Sequence, residues 1–443
     1  MRQIAKSIVV SLMLCMSVAA AHAADPREQV NRAIELIGKG EFSLARFYLA
    51  PALISPFINN SERSRAYYLR GFSFAAQNMP VSARKDYTRA LEFNAANPAA
   101  LVELGRLHAA GRGIERDESA AFSLFEQAAD LGYAPGKFHM GYAYLMGAGV
   151  EKNLLRAREI LAEAADAGHT FAMNSLAASY RSEHVASPEP ELAKEWYEKA
   201  HEAGDATALL AIGFMYAQGE FGEEDAETAV TYFRRAAEQD VSAAHVSLGY
   251  AFLTGLGVDR DYAKAFSAYS RGADMGQPGA FIGLGHLYAS GLGVEQNIET
   301  ARQWYERGAR LGHVEAQLRL VGIFIQDSTE EARRQAVYWA RQAATSGHVK
   351  AMNDYAWMLA TSKFDAMRNG TLAVDQAEKA VAEQPSAVYL DTLAAAYAEI
   401  GNFERAVDVQ LQALEALADE DASLRPELET RLQYYRRSEP WRE

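Results

Sequence analysis

The sequence predicts an all-α protein in which helix–turn–helix units stack into a solenoid. The first observation is a motif that recurs every 36 residues between residues 99 and 348. The second is a small residue, usually glycine, at one fixed position of each first helix. The third is a pair of glycines that separates the two helices of most units. A fixed period of this length is typical of solenoids, in which each unit buries its apolar face against its neighbours.

The first helix of each unit is marked by three columns when the seven repeats are superimposed. The apolar column comes first and reads Leu104, Met140, Leu176, Ile212, Leu248, Leu284 and Leu320. The small column follows at once and reads Gly105, Gly141, Ala177, Gly213, Gly249, Gly285 and Val321. The aromatic-rich column reads His108, Tyr144, Tyr180, Tyr216, Phe252, Tyr288 and Phe324. Because a glycine inside a helix costs about 1 kcal/mol relative to alanine, the small column indicates close contact with a facing helix.

The turn and the second helix repeat as regularly as the first helix. The turn glycines are Gly111/Gly113, Gly147/Gly149, Gly255/Gly257 and Gly291/Gly293, which can adopt the positive φ of a tight turn. The second helix carries an alanine column, namely Ala121, Ala157, Ala193, Ala229, Ala265, Ala301 and Ala336. A large residue follows each alanine within four positions, and a glycine follows most of these helices as a predicted left-handed cap. Asp240 takes the cap position in the fourth repeat.

The residues on either side of the repeats predict further helical hairpins. Residues 24–98 contain two pairs of amphipathic segments, and residues 349–443 contain additional hairpins and a final helix. That final helix carries an apolar stripe of Leu424, Leu428, Leu432 and Tyr435, which suits a capping helix. Arg431 is expected near the end of this helix, where cations interact favourably with the helix dipole.

The N-terminus predicts a cleavable signal peptide over residues 1–23. Arg2 and Lys6 precede an apolar stretch at residues 7–20, and Ala21-His22-Ala23 fits a small-x-small cleavage site. We therefore expect cleavage after Ala23 and a periplasmic or secreted protein. The apolar stretch is shorter than the roughly 20 residues that a membrane-spanning helix needs, so no integral span is expected after cleavage.

Composition and motifs argue against several classes of function. A formal net charge of −14 without a local basic patch argues against nucleic-acid binding. The ten histidines show no metal-binding spacing, and neither a Gly-x-Ser-x-Gly nucleophile motif nor a phosphate-binding glycine loop is present. The single cysteine, Cys15, leaves with the signal peptide. We therefore expect no catalytic residue, no metal and no cofactor.

The repeat pattern resembles that of the Sel-1-like repeat (SLR) family, roughly A-x4-LG-x-LY-x2-G-x-GV followed by A-x2-WY-x2-AA-x2-G. Repeats one, two, five and six fit well, whereas repeats three, four and seven change the turn. The flanking hairpins at residues 24–98 and 349–443 resemble tetratricopeptide (TPR) repeats. The resemblance implies a right-handed α-solenoid that binds proteins without catalysing a reaction. Similar exported proteins include scaffolds of exopolysaccharide secretion machines and periplasmic repressors of sensor kinases, and a secreted factor that engages host proteins is a third alternative.

The resemblance also places candidate partner-binding residues in a groove. In TPR geometry the residue after the small column faces this groove, and the anchors expected here are Arg106, Tyr142, Phe214, Tyr250 and His286. Aromatic and arginine side chains are preferred binding anchors. The structural alternative is that these side chains pack against the next repeat. A rival function, an envelope hydrolase or a binder of glycan or peptidoglycan fragments, would need acids and aromatics clustered in one groove segment.

Overall fold

The computed structural model describes residues 25–181, 188–417 and 423–443. These residues form 23 α-helices and a short 3-10 helix, Asp365–Met367, with further 3-10 conformation at residues 423–424, and they contain no β-strand. The predicted all-α fold is therefore confirmed. The predicted signal peptide, residues 1–23, lies outside the described residues, as does most of the altered turn of the third repeat.

The chain divides into two compact units, which are described separately. The N-terminal unit comprises residues 1–215 and 219–223, and the C-terminal unit comprises residues 216–218 and 224–443. The helices that lie wholly or mostly in the N-terminal unit are α1 (Pro26–Gly38), α2 (Phe42–Ile54), α3 (Asn60–Ala76), α4 (Pro80–Phe93), α5 (Pro98–Ala110), α6 (Glu118–Asp130), α7 (Ala134–Met146), α8 (Leu154–Asp166), α9 (Thr170–Arg181), α10 (Pro190–Glu202) and α11 (Thr207–Ala217).

The C-terminal unit continues the same alternation of first and second helices. Its helices are α12 (Ala226–Ala237), α13 (Ser242–Thr254), α14 (Tyr262–Asp274), α15 (Pro278–Ser290), α16 (Ile298–Arg310), α17 (Val314–Phe324), α18 (Glu330–Ala344), α19 (Val349–Thr361), α20 (Gly370–Glu383), α21 (Ala387–Glu399), α22 (Phe403–Glu415) and α23 (Arg425–Arg436). Within each unit the main helix contacts join neighbours along the chain, and smaller contacts join the first helices of successive repeats. Contacts limited to neighbours are the defining property of a solenoid.

The small column of the first helices makes room for a large side chain of the second helix. A Cβ atom placed on Gly105 would lie 2.6 Å from the ring of Phe125, and one on Gly249 would lie 2.6 Å from the ring of Tyr269. Both rings are buried. The close contact predicted from the glycine column is therefore confirmed, and its partner is an aromatic ring that packs directly on the helix backbone.

The turn glycines join each repeat to the one before it. The first glycine of each pair ends the first helix in the left-handed conformation, as with Gly255 at φ 82°. The second glycine packs on the start of the preceding second helix: a Cβ atom on Gly149 would lie 2.1 Å from the carbonyl oxygen of Glu118, and one on Gly257 would lie 2.1 Å from that of Ala226. Glycine is thus required both for its positive φ and for its lack of a side chain.

The cap positions after the second helices also adopt the predicted conformation. Gly276 and Gly312 have φ values of 78° and 83°, and Asp240 in the fourth repeat has a φ of 57°. The left-handed conformation is unfavourable for most residues with a side chain, and aspartate is among the few that adopt it with some frequency. Asp240 therefore adopts the same left-handed backbone conformation as the cap glycines of the other repeats.

The final helix α23 caps the C-terminal unit through the predicted stripe. Leu428, Leu432 and Tyr435 are buried. The expected position of Arg431 was wrong: its side chain is only 9% exposed, and its Nη1 atom lies 2.7 Å from Oδ2 of Asp391. A buried arginine needs such a partner because an unpaired charge in the interior is very costly. The apolar stripe of α23 gave no indication that Asp391 on α21 would face Arg431.

Candidate binding surfaces on the first helices

The five predicted anchors lie on five different first helices and are all open to solvent to some degree. Tyr142 is 43% exposed and Tyr250 is 54% exposed. Phe214 on α11 is 40% exposed. Arg106 is exposed and His286 is half-buried. Neither tyrosine is therefore enclosed by the next repeat, although whether any of the five contacts a partner stays a prediction.

The structure brings two of these anchors together in the N-terminal unit. Arg106 on α5 and Tyr142 on α7 line one cavity of about 250 Å³. Phe125 and His139 form part of its wall, and their rings stack with centroids 4.7 Å apart. Phe125 is the ring that packs on Gly105. The side chain that fills the interior of the first repeat thus also forms part of the cavity wall.

An aromatic cluster extends this cavity along the surface. We use the name for Phe138, His139, Tyr142, His169 and Phe171. The ring of Phe138 stacks on that of His169 with centroids 4.8 Å apart, and it lies 6.1 Å from the ring of Tyr142. Phe171 is 66% exposed, which leaves much of this surface open to solvent.

Sequence reasoning missed most members of the aromatic cluster. It interpreted His169 as a loop residue after a cap glycine, and it did not single out Phe138 or Phe171. A signal was present, because Phe138 and Tyr142 are four positions apart on α7 and therefore share one face of the helix. The contact between α7 and the start of α9 could not be read from spacing within one helix.

The electrostatic character of the cluster is set by burial. Burial lowers the pKa of His139 to about 4, with smaller contributions from Arg106 and His169. Burial likewise lowers the pKa of His169. Both imidazoles are therefore neutral at neutral pH. The guanidinium of Arg106, which lies 3.0 Å from Glu103, is the cation at the edge of a mostly apolar surface. Such a surface can stack on and enclose apolar side chains.

The other three anchors do not join this cavity. Phe214 belongs to the N-terminal unit, and Tyr250 and His286 belong to the C-terminal unit. Burial and the nearby charge of Arg319 lower the pKa of His286. Five of the seven repeats were predicted to contribute one anchor each, and two of these anchors, Arg106 and Tyr142, share a described cavity.

A second cavity, of about 400 Å³, lies in the C-terminal unit and was not predicted from the sequence. Its wall includes Arg333 on α18, Asn353 and Trp357 on α19, and Arg431 on α23. The carboxylate of Asp391 pairs with Arg431 and also accepts a hydrogen bond of 2.7 Å from Nε2 of Gln410. This buried network fixes one side of the cavity.

Two properties bear on chemistry other than binding. The described residues contain no group of three or more His, Cys, Asp or Glu side chains placed to hold a metal ion. No described helix has both the length and the apolar character that crossing a membrane would require.

The fold and these surfaces define a helical repeat protein of the solenoid class that exposes aromatic side chains on its first helices. The family model described as Sel1 repeat matches residues 98–133, 134–169, 170–205, 206–241, 242–277, 282–313 and 325–348. These matches cover more than half of the chain, and the protein therefore belongs to the Sel1 repeat family. Solenoids of this family commonly act as protein–protein interaction scaffolds.

Several solved structures are similar to this chain. The c5321 protein of uropathogenic Escherichia coli, described as a protective antigen with an SLR fold, is 23% identical over 95% of this chain and 94% of its own, with a TM-score of 0.47. A Sel1 repeat protein from Oxalobacter formigenes is 27% identical over 54% of this chain and 98% of its own, with a TM-score of 0.46. The immunity protein Pa5087 from Pseudomonas aeruginosa is 22% identical over 51% and 90%, with a TM-score of 0.35. No curated protein matches the chain.

Proposed function

We propose that this protein is an exported, non-catalytic scaffold of the bacterial cell envelope that binds an extended segment of a protein partner at the aromatic cluster. The observation that carries the proposal is the shared cavity of Arg106 and Tyr142, since both residues were chosen as anchors from the sequence alone. Family membership supports a protein partner.

The size and lining of the cavity favour one kind of occupant. Its volume of about 250 Å³ is slightly below the roughly 300–1,000 Å³ of small-molecule pockets, which leaves room for one or two side chains but not for a whole helix. Phe125, His139, Tyr142 and four alanines make most of the wall apolar, and Arg106 and Glu118 are its two charged residues. We therefore expect an extended peptide that inserts one large apolar side chain.

The preformed surface explains how a scaffold could bind without ordering itself first. The rings of the aromatic cluster already contact one another in the unbound protein. Binding then immobilises few side chains on this side of the interface, which limits the entropic cost of association. Rigid aromatic and arginine side chains carry a large share of binding energy at many interfaces.

Export is part of the proposal and depends on the N-terminal sequence. Arg2 and Lys6, the apolar stretch and the Ala21-His22-Ala23 site support it. The protein recovered from a periplasmic fraction should begin at Ala24, as determined by N-terminal sequencing. Replacement of both Ala21 and Ala23 by aspartate should leave the precursor uncleaved. A precursor that stays in the cytoplasm with its N-terminus intact would contradict export.

A cross-linking pull-down from periplasmic extract tests the binding site. We expect one or more defined protein partners with the wild-type chain and loss of that capture with Tyr142→Ala. The control is Tyr338→Ala, because Tyr338 is 50% exposed but lies on the second helix α18. Equal capture by wild type and Tyr142→Ala would contradict the proposed site. Binding of purified peptidoglycan fragments in place of any protein would favour the rival function.

A further inference from the structure

The tail segment, residues 439–443, folds back onto the C-terminal unit as an extended peptide. The chain reverses after α23 at Ser438, which has a φ of 61°. The backbone N–H of Glu443 then donates to the carbonyl oxygen of Thr361 at 2.8 Å, and the carbonyl oxygen of Glu443 accepts from the N–H of Lys363 at 2.9 Å. Glu443 thus forms backbone hydrogen bonds with Thr361 and with Lys363, two residues further along that segment. This is the hydrogen-bond pattern of two parallel β-strands.

Each side chain of the tail from Trp441 onward has its own partner. The ring of Trp441 lies edge-on to that of Tyr434, with centroids 5.1 Å apart. Arg442 places Nη2 2.5 Å from Oε2 of Glu399, a carboxylate that is 12% exposed. The Glu443 carboxylate accepts a hydrogen bond of 3.0 Å from Nε1 of Trp357. Backbone pairing together with separate side-chain sites is how proteins bind extended peptides.

The tail segment borders the larger cavity. Glu443 lines the 400 Å³ cavity together with Arg333 and Asn353. Asn353 is 6% exposed, and its Oδ1 atom has no hydrogen-bond donor. The wall carries three cations, Arg333, Lys350 and Arg431, and four acids, Asp354, Asp391, Glu427 and Glu443. Lys350 pairs with Asp354, and Arg431 pairs with both Asp391 and Glu427. The cavity therefore offers no excess of positive charge to further acidic residues.

We propose that the tail segment occupies a peptide-binding groove of this protein, and that a partner protein binds there through an extended aromatic–basic–acidic segment. The groove supplies Glu399 for the basic residue and Trp357 for the acidic one. The site lies in the C-terminal unit and is independent of the aromatic cluster.

Competition between tail and partner follows from tethering. A tethered segment binds its own groove as though present at a local concentration of about 1 mM. A free peptide with the same contacts therefore binds weakly to the wild-type chain. Its binding becomes tighter when the tail is released.

The test uses the full chain with its tail released. Arg442→Glu replaces the ion pair to Glu399 with a like-charge contact and leaves the groove intact. Arg437→Glu is the matched control. Arg437 is exposed and outside the tail segment, and its replacement by glutamate changes the charge by the same amount. Hydrogen exchange at the Lys363 amide reports release, since that amide donates to Glu443. If exchange stays slow in Arg442→Glu, the double variant Trp441→Ala/Arg442→Glu takes its place.

The probe is a fluorescein-labelled, amidated peptide with the sequence of residues 438–443, measured by fluorescence anisotropy. We expect Arg442→Glu to bind it at least about tenfold more tightly than the wild type, because the tethered competitor is gone. Arg437→Glu should match the wild type, and bound peptide should restore slow exchange at the Lys363 amide. Equal affinity for the wild type and a variant with a released tail would overturn the proposal.

Tyr142→Ala should leave the affinity for the peptide unaltered, so that failure of this proposal and failure of the proposed function are distinguishable.

Discussion

Gly249 lies where the ring of Tyr269 packs against the backbone of α13. The ring is 3% exposed, and a Cβ atom on Gly249 would lie 2.6 Å from it. Gly322, on the later first helix α17, has no atom within 4 Å of the same virtual position. Both glycines lie in a first helix, but only Gly249 is packed against a ring. Comparing them therefore separates the effect of packing from the intrinsic helix propensity of glycine.

This contrast predicts opposite effects of one substitution. Gly249→Ala should destabilise the protein by about 1–3 kcal/mol, because the Tyr269 ring must move in a packed interior. Gly322→Ala should stabilise it by up to about 1 kcal/mol, because alanine favours the helix and nothing obstructs its methyl group. Urea unfolding followed by circular dichroism measures both changes. A lower stability in Gly322→Ala, or none in Gly249→Ala, would contradict this account.

At the scale of the element, the glycine-rich turn connects repeats as well as helices. Its second glycine packs on the first residue of the preceding second helix, as Gly149 does on Glu118 and Gly257 on Ala226. The cap glycine after the second helix makes no such contact: Gly276 has open space around its virtual Cβ atom. Two glycines with similar positive φ therefore have different roles.

The turn predicts a graded response to alanine. Gly276→Ala should cost about 1–2 kcal/mol, the strain of a side chain in the left-handed conformation. Gly257→Ala should cost about 1–3 kcal/mol more, because its methyl group would also clash with the backbone of the preceding repeat. Thermal melting of the two variants side by side provides the comparison. Equal losses would show that the second glycine is needed for its φ alone.

At the scale of the whole molecule, several half-buried histidines respond to acid in the same direction. Burial lowers the pKa of His139, His169, His245 and His286 below the ordinary value of 6.5. Between that value and the lowered pKa, the unfolded chain binds more protons than the folded chain. Protonation therefore favours unfolding, and folded stability falls as the pH decreases through this window.

We therefore expect the melting temperature to fall between about pH 7.5 and about pH 5, in a range where most carboxylates are still ionised. His139→Phe should reduce this fall, because phenylalanine keeps the stacking on Phe125 and cannot be protonated. His313→Phe serves as the control, since His313 is exposed. The same acid sensitivity in wild type and His139→Phe, as measured by scanning calorimetry, would contradict the role given to His139.

The helices, the turns and their period could be predicted from the sequence, because they depend on local spacing and on the backbone freedom of glycine. The columns of Gly105 and Ala121 were sufficient to predict close helix packing, and Arg106 and Tyr142 were found from their place in the repeat. Contacts between elements that are distant in sequence could be identified only in the folded chain. The stacking of Phe138 on His169, the burial of Arg431 beside Asp391 and the docking of Glu443 beside Thr361 each join residues whose separation follows no period. A repeating pattern specifies contacts that repeat, whereas these contacts occur at single places in the chain and depend on the folded backbone.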